Sequence, residues 1–125
     1  MNIQELIELS NGKLLTPASN LSREIKGGCG ADLMSDVLAS VQPEAVLLTG
    51  LCNPQVIRTA VMADVAAVVI VRGKNPPSET IHLAADEGIP LVITPYGMFE
   101  MCGRLHQAGL ISLERPVSPE DCRCE

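Results

Sequence analysis

Three groups of residues in this chain have types and spacings that could do chemistry. The first sits at the ends of apolar runs: Thr49-Gly50, Arg72-Gly73-Lys74 and Thr94-Pro95-Tyr96, followed by helix starts at Asn53-Pro54, Ser78 and Gly97. Hydroxyls, cations and the free N–H groups of helix N-termini all favour an anion. Thr49, Gly50, Asn53, Arg72, Lys74 and Thr94 are therefore expected to line a pocket for a small anionic metabolite or nucleotide. The competing reading is structural: Thr and Asn cap helices, and Arg72-Gly73-Lys74 is a solvated loop of the kind that α/β proteins carry as a rule.

The second group is Cys102 and His106, four residues apart and so on one helix face. With Cys122 and Cys124 they would complete a Cys₃His zinc set if the tail folded back. The spacing lacks the paired C-x₂₋₄-C element of structural zinc, and Cys102 lies on an apolar stripe, where Cys usually acts as a small hydrophobe. Cys52 precedes a helix N-terminus, which favours thiolate. It reads either as a redox-sensitive thiol or as a loop Cys packed under Pro54. No metal or cofactor is expected. A redox protein using Cys52, Cys102 and the Cys122/Cys124 tail is the alternative function.

The third group is Gly27-Gly28-Cys29-Gly30. A phosphate loop needs G-x-x-x-x-G-K-[ST], which is absent, so the glycines read as a tight turn with positive φ. No G-x-S-x-G elbow exists, and His82 and His106 fall on different helices. No catalytic residue is assigned, and the chain is expected not to be an enzyme.

Composition narrows the partners. Nine Lys and Arg stand against 15 Asp and Glu, for a net charge of −6, and the chain has one Tyr, one Phe and no Trp. Phosphate neutralisation and base stacking both need what is missing here, so nucleic acid is excluded as an expected partner. The longest apolar run, Val65 to Val71, falls far short of the roughly twenty residues that a membrane helix needs. The N-terminus is acidic and amphipathic rather than signal-like, and five irregularly spaced Cys argue for a reducing compartment. The expected location is the cytoplasm.

These residues need elements to hold them. Asn2 and Glu5 make a capping box for a helix over residues 2–9, ended by Asn11-Gly12. Residues 13–30 are weakly patterned, with short strands conceivable at 13–15 and 24–26. Asp32 reads as the N-cap of a helix that ends at Pro43. From residue 45 the pattern is regular: apolar strands at 45–49, 66–71 and 89–93 alternate with helices starting near Pro54, Ser78 and Met98. Strands without polar alternation are buried on both faces, which is the parallel-sheet signature. The expected fold class is α/β, with βα repeats in three layers around a small, mostly parallel sheet. The expected domain covers residues 1–110, with 111–125 as a surface tail.

One string is recognisable. Ser22-Arg23-Glu24-Ile25-Lys26-Gly27-Gly28 followed by Asp32-Leu33-Met34-Ser35-Asp36-Val37-Leu38 resembles the DRTGG domain family, and the likeness runs over residues 1–110. Arg23, Gly27, Gly28 and Asp32 carry the motif. Ser22 stands where the family has an acidic residue, which removes any pairing role for that position. The resemblance implies a small α/β module, similar to the N-terminal domain of HPr kinase/phosphorylase. Such modules occur alone or fused to phosphotransacetylases and to CBS-domain pyrophosphatases. It also implies a regulatory, ligand-responsive or dimerising role without catalysis, and standalone members often lie near hydrogenase and other redox genes. The expected function is a homodimeric regulatory module that senses a small anionic metabolite or nucleotide and docks a metabolic or redox partner enzyme.

Overall fold

A computed structural model describes residues 1–116 of the chain. Its elements alternate regularly: α1 (Ile3–Ser10), β1 (Lys13–Leu14), β2 (Gly27–Gly30), α2 (Met34–Ser40), β3 (Ala45–Thr49), α3 (Pro54–Met62), β4 (Ala67–Ile70), α4 (Ser78–Glu87), β5 (Leu91–Ile93) and α5 (Met98–Gln107). The five strands form one sheet in the order β1-β5-β4-β3-β2. β2 to β5 are parallel, and the short β1 pairs antiparallel with β5 at the edge.

Each helix between parallel strands crosses from one strand to its immediate neighbour, always in the same direction along the sheet. Crossovers of one hand then leave α2, α3 and α4 on a single face. The apolar contacts agree. Val37, Val56, Ile57 and Ala84 pack on Leu47, Val68, Ile70 and Leu91. On the other face, Ile3 and Leu6 of α1 and Met101 and Leu105 of α5 pack on Val46, Leu48, Val69 and Val92. Adjacent strand residues alternate between the two cores, so nearly every position of β3 and β4 must be apolar. Burying one such Leu, Ile or Val contributes about 1.5–3 kcal/mol. The mostly parallel α/β sheet is as expected.

The helix ends follow local rules in part. Asn2 accepts the Glu5 N–H at 2.9 Å and the Glu5 carboxylate reaches back, completing the capping box; Asn11 ends the helix in the left-handed conformation. Pro54 opens α3 at the first turn, as its fixed φ favours, and Gly88 closes α4 with φ 70°. Two expected caps are corrected. Asp32 does not cap α2, whose N-cap is Leu33, and Asn53 makes no side-chain cap bond to α3.

The largest correction concerns residues 27–30. They form β2, a strand in register with Ala45–Leu48, and none of these glycines has positive φ. Their role is close approach. A Cβ on Gly27 would lie 2.4 Å from Leu113 Cγ and 2.7 Å from the Ile111 carbonyl oxygen. Residues 111–115, the first of the expected surface tail, run along the open edge of β2. The Gly28 N–H donates to the Ile111 carbonyl (2.8 Å), and the Leu113 N–H donates to the Gly28 carbonyl (3.0 Å). Gln42 N–H to Leu113 O and Arg115 N–H to Ser40 O, both 2.8 Å, extend the attachment to the end of α2. The segment satisfies an edge that would otherwise expose unpaired backbone groups.

Candidate functional site

The carboxyl ends of β2 to β5 share one edge of the sheet, and the loops leaving it bring three residues to a point beside Gly50. A Cβ placed on Gly50 would lie 2.9 Å from Arg72 Nη1, 3.4 Å from Asp32 Oδ1 and 3.6 Å from Lys74 Nζ. The Gly50 N–H donates to Asp32 Oδ1 at 2.7 Å, and Lys74 Nζ donates to the Gly50 carbonyl at 2.7 Å. An ammonium has three donors, so Lys74 keeps two for other acceptors. Among the described residues neither Arg72 nor Lys74 forms an ion pair. Arg72 sits at φ 68°, a left-handed conformation uncommon for a residue with a long side chain. Its N–H donates to the Tyr96 carbonyl (2.7 Å) and the Gly73 N–H to the Thr94 carbonyl (2.8 Å). The β4–α4 loop is thus tied to the β5–α5 loop while Arg72 and Lys74 stay exposed.

Other expected pocket residues serve the scaffold. Thr49 is fully buried; its hydroxyl donates to Asp32 Oδ1 (3.4 Å) and accepts the Leu51 N–H (3.2 Å). Thr94 is equally enclosed, donating to the Ser10 carbonyl (2.7 Å) and accepting the Tyr96 N–H (3.2 Å). Both hydroxyls are spent on fixing the loops, so neither faces the opening. Asn53 is exposed at the start of α3. Asp32 joins the cluster by a bond that spans 18 residues, which no local pattern announces. Arg23 lies at the other end of the sheet, where its guanidinium donates to the Val65 carbonyl at 3.3 Å. Of the family motif, only Asp32 belongs to this edge.

The thiols occupy different surroundings. Burial pushes the Cys29 thiol up to about 12, with Glu114 beside it adding to the effect. Burial, and then the Glu114 charge, also raise Cys102. Both therefore stay as neutral thiols near pH 7, the opposite of an activated nucleophile. Cys52 Sγ lies 3.9 Å from the Gly50 carbonyl, and its own carbonyl accepts the Thr80 hydroxyl at 2.7 Å. Cys102 and His106 line a small cavity of about 140 Å³ with Gly28, Gly30, Leu110 and Glu114. Among the described residues no three His, Cys, Asp or Glu side chains gather as a metal set. Cys122 and Cys124 lie outside the described residues. Among the described residues His82 and Asp86, both exposed, form no ion pair. No described helix is long and apolar enough to cross a membrane.

The model of the DRTGG domain family matches residues 5–108. The chain belongs to the DRTGG domain family. Among curated proteins none matches this sequence. Among solved structures, the DRTGG domain resembles the CBS and DRTGG domains from the regulatory region of a Clostridium perfringens pyrophosphatase, complexed with its activator diadenosine tetraphosphate. The TM-score is 0.72 at 14% sequence identity, over 86% of this chain and 46% of that one. The chain therefore spans less than half the length of that structure, and the likeness is one of fold.

Proposed function

We propose that this DRTGG domain is a non-catalytic regulatory module that binds the anionic group of a phosphate-bearing metabolite or nucleotide at the carboxyl edge of its sheet. The observation that carries the reading is the convergence on Gly50: two exposed cations without an ion pair among the described residues, held by loops that are cross-tied to each other. In a chain of net charge −6, such a local positive cluster is the natural landing place for an anion. The pyrophosphatase relative supports the ligand class, because that protein is complexed with a nucleotide activator. Gly50, Arg72 and Lys74 would hold the anion, with Asn53 at the rim; Thr49 and Thr94 shape the loops. Homodimerisation and docking of a partner enzyme belong to the same reading. Exposed Leu38 on α2 and exposed Val61 and Met62 on the neighbouring α3 offer apolar side chains to a second copy of the chain. A cytoplasmic location fits this role. The redox alternative draws no support from Cys29 and Cys102, whose thiols are held neutral.

Isothermal titration with ATP and acetyl phosphate tests the binding. The wild type is expected to bind in the micromolar to millimolar range. Gly50→Ala is expected to abolish binding while folding normally, since its one sub-3 Å contact is with the flexible end of Arg72. Absence of heat at millimolar ligand, or unchanged affinity in Gly50→Ala, would refute the site.

A further inference from the structure

We infer that Asp32 is an internal stand-in for the ligand: its carboxylate occupies the anion position, and an arriving phosphate group takes the Gly50 amide from it and releases the start of α2. This rests on the binding reading above and adds its regulation.

The geometry at Asp32 is that of a bound anion. The residue stands immediately before the N-cap of α2, near the helix end whose dipole favours a carboxylate. Here α2 has no side-chain cap, and the carboxylate reaches across to the end of β3 instead. It accepts the Gly50 backbone N–H at 2.7 Å and the Thr49 hydroxyl at 3.4 Å. The Gly50 amide is the donor that a phosphate oxygen would seek, flanked by the two cations that would neutralise it. One carbon-sized point at Gly50 lies within 2.9–3.6 Å of Arg72, Asp32 and Lys74 together, so an anion arriving at the two cations meets the Asp32 carboxylate there.

Displacement is feasible because little else holds Asp32 and Leu33. Asp32 is exposed, so water solvates the carboxylate once it leaves. Leu33 beside it is 61% exposed and buries nothing that must be pulled out. Further along, α2 is anchored by Val37, which is fully buried, and the chain before Asp32 by the Ala31 N–H on the Leu48 carbonyl (3.0 Å). The piece released is therefore residues 32–33, since Met34 packs against the core, and it leads through the first turn of α2 toward exposed Leu38. Ligand arrival at β3 thus becomes a change at a surface that another protein can read.

The test is titration with inorganic pyrophosphate at fixed salt on the full chain and three variants: Asp32→Asn, Asp32→Ser and, as a charge control, Glu87→Gln. Glu87 ends α4, at the far end of the sheet. Removing the competing carboxylate is expected to tighten binding about fivefold, the size of one like-charge contact at about 4 Å in water. The Glu87→Gln variant should match wild type. The Gly50 amide resonance should move on ligand addition in wild type and stand already shifted in ligand-free Asp32→Ser. Binding seen only in the Asp32 variants is the same result in stronger form. Wild-type binding that stays equal or weakens in both Asp32 variants overturns the displacement and leaves the binding site standing. A gain shared by Glu87→Gln is a net-charge effect and also overturns it. No binding by any of the four proteins overturns the site itself.

Discussion

Gly27→Ala puts the role of the double glycine to a quantitative test. The added methyl would sit 2.4 Å from Leu113 Cγ, 2.7 Å from the Ile111 carbonyl oxygen and 2.8 Å from Leu113 Cδ1. One of these contacts is with backbone, so rotating Leu113 alone does not relieve it. If residues 111–115 stay in place, overpacking of this kind costs about 1–3 kcal/mol. If they detach, the loss is the hydrogen bonds from Gly28 to Ile111, Leu113 to Gly28, Gln42 to Leu113 and Arg115 to Ser40, at about 1 kcal/mol each or about 4 kcal/mol together. The expected cost is therefore about 1–3 kcal/mol, with detachment as its ceiling. Gly28→Ala is the internal control: its Cβ would meet Leu110 at 3.4 Å and Val46 at 3.5 Å, ordinary contact, so it should cost under about 1 kcal/mol. Urea unfolding measures both differences. Amide exchange at Leu113 and Arg115 reports whether the segment has let go. Equal costs for the two substitutions, or a fully stable Gly27→Ala with protected Leu113, would refute the close-approach explanation.

Two further outcomes follow from the thiols and the apolar face. Cys29, raised from 9.0 to about 12, should resist alkylation at pH 8 in the folded protein and react once urea unfolds it. The fold holds this proton more tightly than the unfolded chain does, so its contribution to stability is full below pH 9 and falls as pH rises from 9 toward 12; a Cys29→Ala variant should show a flatter stability profile there. Leu38→Glu combined with Met62→Glu should convert a dimer to a monomer in light scattering without lowering the melting temperature by more than a few degrees, since both side chains are exposed. A wild type that is monomeric at high concentration would remove the dimer from the functional reading.

The central repeats were legible because their physics is local and periodic. Strands buried on two faces leave no polar positions, and the helices between them carry one apolar stripe each, so β3, β4 and β5 and the helices after them are recorded directly in residue order. The α1 capping box is likewise a matter of two residues three apart. The family motif was readable too, but its residues do not act together: Arg23 steadies the Val65 carbonyl at one end of the sheet, while Asp32 works at the other.

What sequence order alone determined, then, is a set of βα units and the edge of the sheet where cations collect. Tertiary structure decided the rest. Glycines have no side-chain pattern to announce a strand; 27–30 become one only because β3 on one side and residues 111–113 on the other supply hydrogen bonds to an otherwise featureless backbone. In the same way, a carboxylate will bond whichever free N–H lies nearest in space. For Asp32 that donor belongs to Gly50 rather than to its own helix, a choice made by the packing of two neighbouring strands.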